Sequence, residues 1–538
     1  MYVSSTHHFL RAAALLLVLT FPNIRAGAQT GIFTYHYDNY RTGWNQTETV
    51  LTPANVNSKS FGLLHNVVLD AQVDGQPLVV PNVLITAGQY PGLHNVVYVA
   101  TENNTVYAID SDTGAVLLNP NFGPPVAPNP SCGPTPKLGI HSTPVIDPGS
   151  NTLYLLAYTQ TAKGPVYQVH ALDLGSLTDK TAPEPVAASH TLTNGTTLHF
   201  NALYQRQRPA LLLANGNLYA AFGSFCDGQA AQSRGWLLGW TASSLVPLTT
   251  NELVDTQSSA PGDYFLSSIW MSGYGPSTDD AGNVLFVTGN SQFGTYDGVS
   301  NIQESVVKVS PTLNSVLDLF TPDNQYDLDL DDLDFGSGGV MVLPDQPGSI
   351  PHLAVAAGKD GHMFLMNEDN LGRYSSTKNN VLGIYTAGPC WCGESYFVDP
   401  DGAARVVSSG GRTVKVWKVI TSPKVALSPV TQSPGMGGGQ YPGTFTSISS
   451  NGNSNPIIWA VNRPVSGSSP TVYLFAFNPD SGKNPMTELF RASAGSWPNP
   501  GNDANIVPVV ANGQVFVASV KQLQIFGLLS PHKNSAQH

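Results

Sequence analysis

Charge is scarce in this chain: only 11% of its 538 residues are Asp, Glu, Lys or Arg, and their formal net charge is −12. No run of Lys or Arg supplies the phosphate-neutralising stripe that nucleic acid requires, so nucleic acid is not an expected partner. Cysteine is sparse as well, with four residues at Cys132, Cys226, Cys390 and Cys392. Cys390-Trp391-Cys392 is neither a C-x-x-C-H haem-attachment pattern nor a paired zinc knuckle, so no haem is expected and these cysteines read as structural or free thiols. G-x-S-x-G, H-E-x-x-H and C-x-x-C signatures in a suitable context are missing, which disfavours hydrolase, zincin and thioredoxin-type readings.

Long apolar runs are absent after the start of the chain. The one strong run, Ala12 to Phe21, follows Arg11 and precedes the small residues Ala26-Gly27-Ala28. That order is the pattern of an export signal over residues 1–28, with a cut before Gln29. The run falls short of the ~20 residues that span a bilayer, so no integral membrane segment is expected after cleavage. No cysteine stands at the cut to carry a lipid. A periplasmic or secreted protein is the expectation, and in such a compartment the four cysteines allow up to two disulfides in three pairings.

Gly (52) and Pro (41) are plentiful, alongside many Thr, Ser, Asn, Val and Tyr. This composition favours short strands joined by tight turns. A unit then recurs: an apolar strand, a polar turn, a second strand, and an Asp or Asn followed by Gly. The clearest copy is VVYVATENNTVYAIDSDTGAV at 96–116, where Tyr98, Ala100, Val106 and Ala108 alternate with period two. Seven further copies begin near Thr152, Asn217, Val284, His352, Ala404, Ile457 and Gln514. Their spacing of about 60 residues suits propeller blades with long loops, whereas β-solenoid repeats run to about 20–30 residues. Each copy alone is a hairpin whose apolar faces need neighbours, so a closed ring follows. The expected fold is all-β, an eight-bladed β-propeller of four-stranded antiparallel blades. Phe61-Gly62-Leu63-Leu64 is the candidate strand for fastening the last blade to the first. A single domain over 31–530 and a polar tail over 531–538 complete the reading; Gly435-Met436-Gly437-Gly438-Gly439 reads as a loop between blades.

The phrases VYAIDSDTG, HALDLGSL and FNPDSG resemble the blade endings of pyrroloquinoline quinone (PQQ) type propellers, the family of quinoprotein alcohol dehydrogenases. The resemblance spans nearly the whole mature chain and implies PQQ and calcium on the propeller axis. IWMSGYGPSTDDAGNVLFVTGN resembles the segment placing a Trp beneath the quinone and an Asn on calcium, which implies Trp270 and Asn290 for those roles. TPDNQYDLD at 321–329 is similar to the stretch carrying the catalytic base. By register Asp327 is the base and a metal neighbour, and Asp329 a second carboxylate. Tyr326 stands where Trp is usual, and Asp331, Asp332 and Asp334 leave the register open by a few residues. AAGKDGHMFLMNEDNLG resembles the segment that places a cation, here Lys359, against the quinone oxygens.

The chain also departs from the family pattern. Where the family has two adjacent cysteines over the cofactor, Ser131-Cys132-Gly133 offers Cys132 alone. The metal-binding Glu expected before an Arg-Gly pair is missing near Arg234-Gly235, where only Asp227 is found. Two expectations follow. One is a PQQ- and calcium-dependent dehydrogenase oxidising small-molecule alcohols or sugars; the other is a non-catalytic scaffold that kept the fold, lost the cofactor, and binds an envelope protein or glycan.

Overall fold

The computed structural model describes residues 1–2, 29–127, 137–191, 195–225, 235–248, 268–291, 294–299, 301–437, 443–462, 464, 470–498 and 505–530. Eight small sheets follow one another as blades. The first runs through Leu78–Ile85, Gly92–Ala100, Val106–Asp110 and Val116–Leu118 in order, each strand antiparallel to the next. The innermost strands of the other seven blades are Val145–Asp147, Leu212–Ala214, Ser277–Thr278, Val340–Val342, Ser395–Val398, Thr446–Asn451 and Val509–Ala511. All eight sequence repeats fall on blade strands.

The recurring Asp-x-x-Thr-Gly ending has a local cause. In the first blade Asp110 Oδ1 accepts the backbone N–H groups of Asp112 and Thr113 at 3.0 and 2.8 Å, and Gly114 takes φ +74°. In the second, Asp173 Oδ1 accepts from the N–H groups of Gly175 and Ser176, both at 3.0 Å. The aspartate therefore folds the turn that sends the chain to the outermost strand.

Between these turns the strands bury both faces, and the described residues form eight apolar clusters. Each cluster joins two neighbouring blades: Val96 and Tyr98 meet Leu153 and Leu155, for example, and Leu285 and Phe320 meet Ala354 and Phe364. The cluster that closes the ring packs Val509, Phe516 and Ile525 of the last blade against Val97, Val99 and Ile109 of the first. No blade hides its apolar surface without its neighbours, which is why the repeat must run full circle.

Strand pairing also closes the ring. Phe61–Gln72, which precedes the first blade, pairs antiparallel with the last long strand, Gln514–Leu528, from Phe61 opposite Leu528 to Gln72 opposite Val520. The expected fastening strand is present and extends eight residues beyond Leu64. Among the described residues no helix is long and apolar enough to cross a membrane. The expected export signal and the tail from 531 lie outside the described residues.

One segment has no counterpart in the repeat. Residues 32–45 thread the axis and bond to the inner strand of every blade in turn. Ile32 exchanges backbone hydrogen bonds with Val79 (2.7 and 3.0 Å), and the Phe33 carbonyl accepts from Ile146. The Asn39 side chain donates to the Leu213 carbonyl at 2.9 Å. Asn39, Tyr40, Thr42 and Gly43 carbonyls accept from Thr278, Val342, Tyr396 and Ile448, and Asn45 Nδ2 donates to Val510 O. Inner strands present unpaired N–H and C=O groups to the axis, and this hub answers them. Its knot is Arg41, fully buried, which donates to the carbonyls of Pro276, Tyr35, Asp38 and Leu211 and to Thr34 Oγ1.

Candidate functional site

The site lies at the end of the axis where first strands begin and second strands finish. Trp270 precedes the first strand of the fourth blade. Its ring lies across two glycines: a Cβ on Gly223 would sit 2.3 Å from Trp270 Cδ1, and one on Gly289 2.8 Å from Cε3. Only bare backbone admits the indole at both places. Its Nε1 donates to the Ser224 carbonyl at 3.1 Å, and the residue remains half-buried. The result is an aromatic platform held against main chain.

Asn290 follows Gly289 directly. Its backbone N–H donates to Asp334 Oδ1 at 2.8 Å and its Nδ2 to Asp332 Oδ1 at 3.0 Å. Its Oδ1 is buried with no hydrogen-bond partner, and so are Ser291 Oγ, Ser268 Oγ and Glu304 Oε1. Lys359 Nζ meets Asp334 Oδ2 at 2.5 Å and Asp332 Oδ1 at 3.1 Å. Burial alone would lower the Lys359 ammonium, but Asp334 and Asp332 outweigh it and raise its pKa. Glu304 accepts from the Phe335 N–H at 2.5 Å, and burial, with Asp334 and Asp329 nearby, holds its carboxyl well above the usual range.

Trp270, Asn290, Lys359 and Asp329 are thus gathered in one neighbourhood, Asp329 by accepting the Ser291 N–H at 2.9 Å. Burial pushes the Asp329 carboxyl up to about 7. Asp327 is not gathered with them. Gln325–Asp331 is a helix, so residues two apart point about 200° from each other. Asp329 and Leu328 turn inward and Asp327 is left exposed. The buried carboxylate beside Asn290 and Lys359 is Asp334, among the residues over which the register was open. Cys132 and Asp227 lie outside the described residues.

The remaining wall carries groups that the sequence did not signal. Arg206 sits opposite Gly223 in the sheet, and Arg208 donates to Ser272 Oγ, two residues after Trp270, at 3.4 Å. Both arginines are buried. Arg206 donates at 3.1 Å to His141 Nε2, while His141 Nδ1 bonds Glu102. Asp74 lies 3.8 Å from the same Nδ1. Burial holds the Asp74 carboxyl well above its usual range, and Glu102 beside it adds to the rise. Across the channel, Cys390 and Cys392 form a disulfide and Lys359 lies 5.4 Å from the centre of the Trp391 ring. Charges two apart in a short strand read as a solvated face in sequence, so the two arginines left no signal.

These donors suit a particular kind of guest. Unanswered amide and hydroxyl oxygens are ligands for a hard cation. The indole platform, with two arginines on one side and a lysine on the other, suits a flat, negatively charged ring system.

No family model and no curated protein matches the sequence. Solved structures with this fold include a quinohemoprotein alcohol dehydrogenase from Comamonas testosteroni, with 13% identity over 93% of this chain and 81% of that one and a TM-score of 0.56. A quinohemoprotein alcohol dehydrogenase from Pseudomonas putida HK5 gives 12%, 94%, 82% and 0.57, and a europium-containing methanol dehydrogenase 11%, 93%, 98% and 0.55. At these identities the likeness is one of fold alone, the eight-bladed propeller.

Proposed function

We propose that the axial site binds a flat anionic quinone of the PQQ type with a hard cation, and that the protein, exported by its first 28 residues, oxidises small alcohols or sugars. The observation that carries this reading is the Trp270 platform on Gly223 and Gly289, next to the buried, unanswered Asn290 Oδ1. Such a quinone, when bound, supplies a two-electron acceptor. Trp270 would supply the floor for it, Arg206 and Arg208 the cations for its carboxylates, and Lys359 a further cation for its reduced form. Asn290 Oδ1 is the neutral ligand of the cation, and Asp329, which accepts the neighbouring Ser291 N–H, is the candidate for a charged one. Asp334 Oδ2 takes the hydroxyl proton of the substrate, and the Lys359 ammonium bonded to it stabilises the charge that develops.

The test is binding. Purified protein is titrated with PQQ plus Ca²⁺, or a lanthanide ion, by quenching of tryptophan fluorescence, followed by dye reduction with an alcohol and sugar panel. Saturable binding weakened about a hundredfold in Trp270→Ala is expected, and absence of saturable binding ends the proposal. A second reading, a scaffold that kept the fold and binds an envelope protein or glycan, is favoured by one specific feature: Lys359 is already neutralised by two carboxylates. Under that reading PQQ does not bind and the loops at the mouth of the ring are the functional surface.

A further inference from the structure

Beyond the quinone reading, and independent of it, the turn before the sixth blade carries a second chemistry. Cys390 and Cys392 are joined across one intervening residue, and both are fully buried. Their sulfurs and a carboxylate oxygen of Glu394 lie within 4.8 Å of one another. Glu394 is also fully buried, and neither of its carboxylate oxygens has a hydrogen-bond partner.

A structural role explains neither feature. Closing so short a loop removes little chain entropy compared with the long loops that stabilising disulfides close. A buried carboxyl with both oxygens unanswered is destabilising, and an apolar residue of similar size would fill the space without that penalty. Burial pushes the Glu394 carboxyl up to about 8, so it carries its proton at neutral pH. The titratable groups packed around it are few. Tyr274 donates its hydroxyl to the Glu394 backbone oxygen at 3.2 Å, His36 packs edge-on to the Tyr274 ring, and Lys359 stands over Trp391. None of them bonds the carboxyl, so its proton has the sulfur pair as its nearest destination.

We propose that Cys390, Cys392 and Glu394 form a dithiol–disulfide redox centre buried beside the axial hub, with small dithiols as the class of reductant and Glu394 as the proton donor. The thiolate of the reductant attacks one Sγ, the Sγ–Sγ bond breaks, and a mixed disulfide forms. The departing sulfur takes the Glu394 proton. The second thiol of the reductant gives its proton to Glu394 and attacks the mixed disulfide, releasing the other sulfur. That sulfur is protonated from solvent by the proton the reductant lost at the start. One dithiol is oxidised to its disulfide, two protein thiols are produced, and Glu394 ends as it began. Both sulfurs are fully buried and Trp391 between them is half-buried, so Trp391 must swing aside for a small reductant to reach a sulfur.

The test uses the folded full chain. Protein is incubated with dithiothreitol from about pH 6 to 9.5 without denaturant, quenched by alkylation, and the peptide holding both cysteines is quantified by mass spectrometry. The expected result is full reduction with the β-sheet circular dichroism retained, and full reoxidation once the reductant is replaced by glutathione disulfide, which takes up the two electrons. Glu394→Gln is expected to slow reduction about tenfold below pH 7, with the gap closing above pH 9, where Glu394 no longer has a proton to give. Glu394→Asp keeps the pH-dependent advantage in part, which separates proton donation from packing and serves if the Gln variant does not fold. A disulfide that stays oxidised until the protein unfolds overturns the proposal. So does a wild-type to Gln rate ratio that does not change with pH.

Discussion

The hub and the wall above it are both buried and both polar, yet they treat their polar atoms in opposite ways. In the hub Arg41 finds five acceptors and backbone and asparagine side chains together reach every blade, while His36 Nε2 is left unanswered. Around Trp270, Asn290 Oδ1, Ser291 Oγ, Ser268 Oγ and Glu304 Oε1 are left without partners within a few residues of one another. A fold that meets nearly all of its hydrogen bonds in one place and leaves a group of oxygens bare in the next has built a scaffold and a receptor. The receptor is the costly part, and a guest that meets those oxygens offsets the cost.

The largest break in this comparison is Arg41→Met. It removes one cation and leaves the carbonyls of Pro276, Tyr35, Asp38 and Leu211 without that donor in the interior. Losing a buried, multiply bonded charge costs roughly 3–5 kcal/mol. The expected outcome is a steep drop in soluble yield and a melting temperature lowered by many degrees. A variant that melts like wild type would show that the ring closes without its hub.

His36 gives the next effect, and it appears on acidification. Burial lowers its pKa to about 3 from 6.5, so the folded protein holds it neutral while the unfolded chain protonates it below pH 6.5. Stability from this residue is complete above pH 6.5. It is lost as pH falls from there to about 3, at about 1.4 kcal/mol per pH unit. In His36→Asn, whose side chain suits the φ of 51° at this position, melting temperature falls less steeply across that window. The variant loses the stack on Tyr35 at neutral pH, so the slope, and not the starting value, is the quantity compared. Identical slopes would place the acid sensitivity elsewhere.

The sequence disclosed scaffold and receptor unequally. Eight blades were legible because strands buried on both faces repeat an apolar pattern, and because the aspartate turn recurs in recognisable form. Phe61-Gly62-Leu63-Leu64 was legible as a fastening strand, and the paired strand runs on from it to Gln72. The hub was not: YHYDNYRTGWN has no period, and it works through backbone carbonyls that any sequence possesses. Its turns place His36, Tyr37 and Arg41 at positive φ, which their side chains do not advertise. In the receptor, Trp270, Asn290 and Lys359 were reached through resemblance and the fold gathers them. Arg206 and Arg208 alternate with glutamines and Glu394 stands between Gly393 and Ser395, and only the closed ring shows which way they face.

The carboxylates of 327–334 sharpen the comparison with the smallest expected effect. By register with the stretch that 321–329 resembles, the base falls on Asp327 and Asp329 is a second carboxylate. Read as the helix that forms, they oppose one another, and the neighbour of Asn290 and Lys359 is Asp334. Asp327→Asn therefore changes stability by no more than about 0.5 kcal/mol, the ordinary range for an exposed substitution. It leaves PQQ titration and dye reduction as in wild type. Asp334→Asn in the same assays removes dye reduction, because the proton acceptor is gone, and lowers the amount of PQQ needed, because Lys359 loses its nearest counter-charge and is free for the anionic quinone. The reverse pattern, a silent Asp334 and a disabling Asp327, would mean that the helix over 325–331 unwinds when the site is filled and turns Asp327 inward.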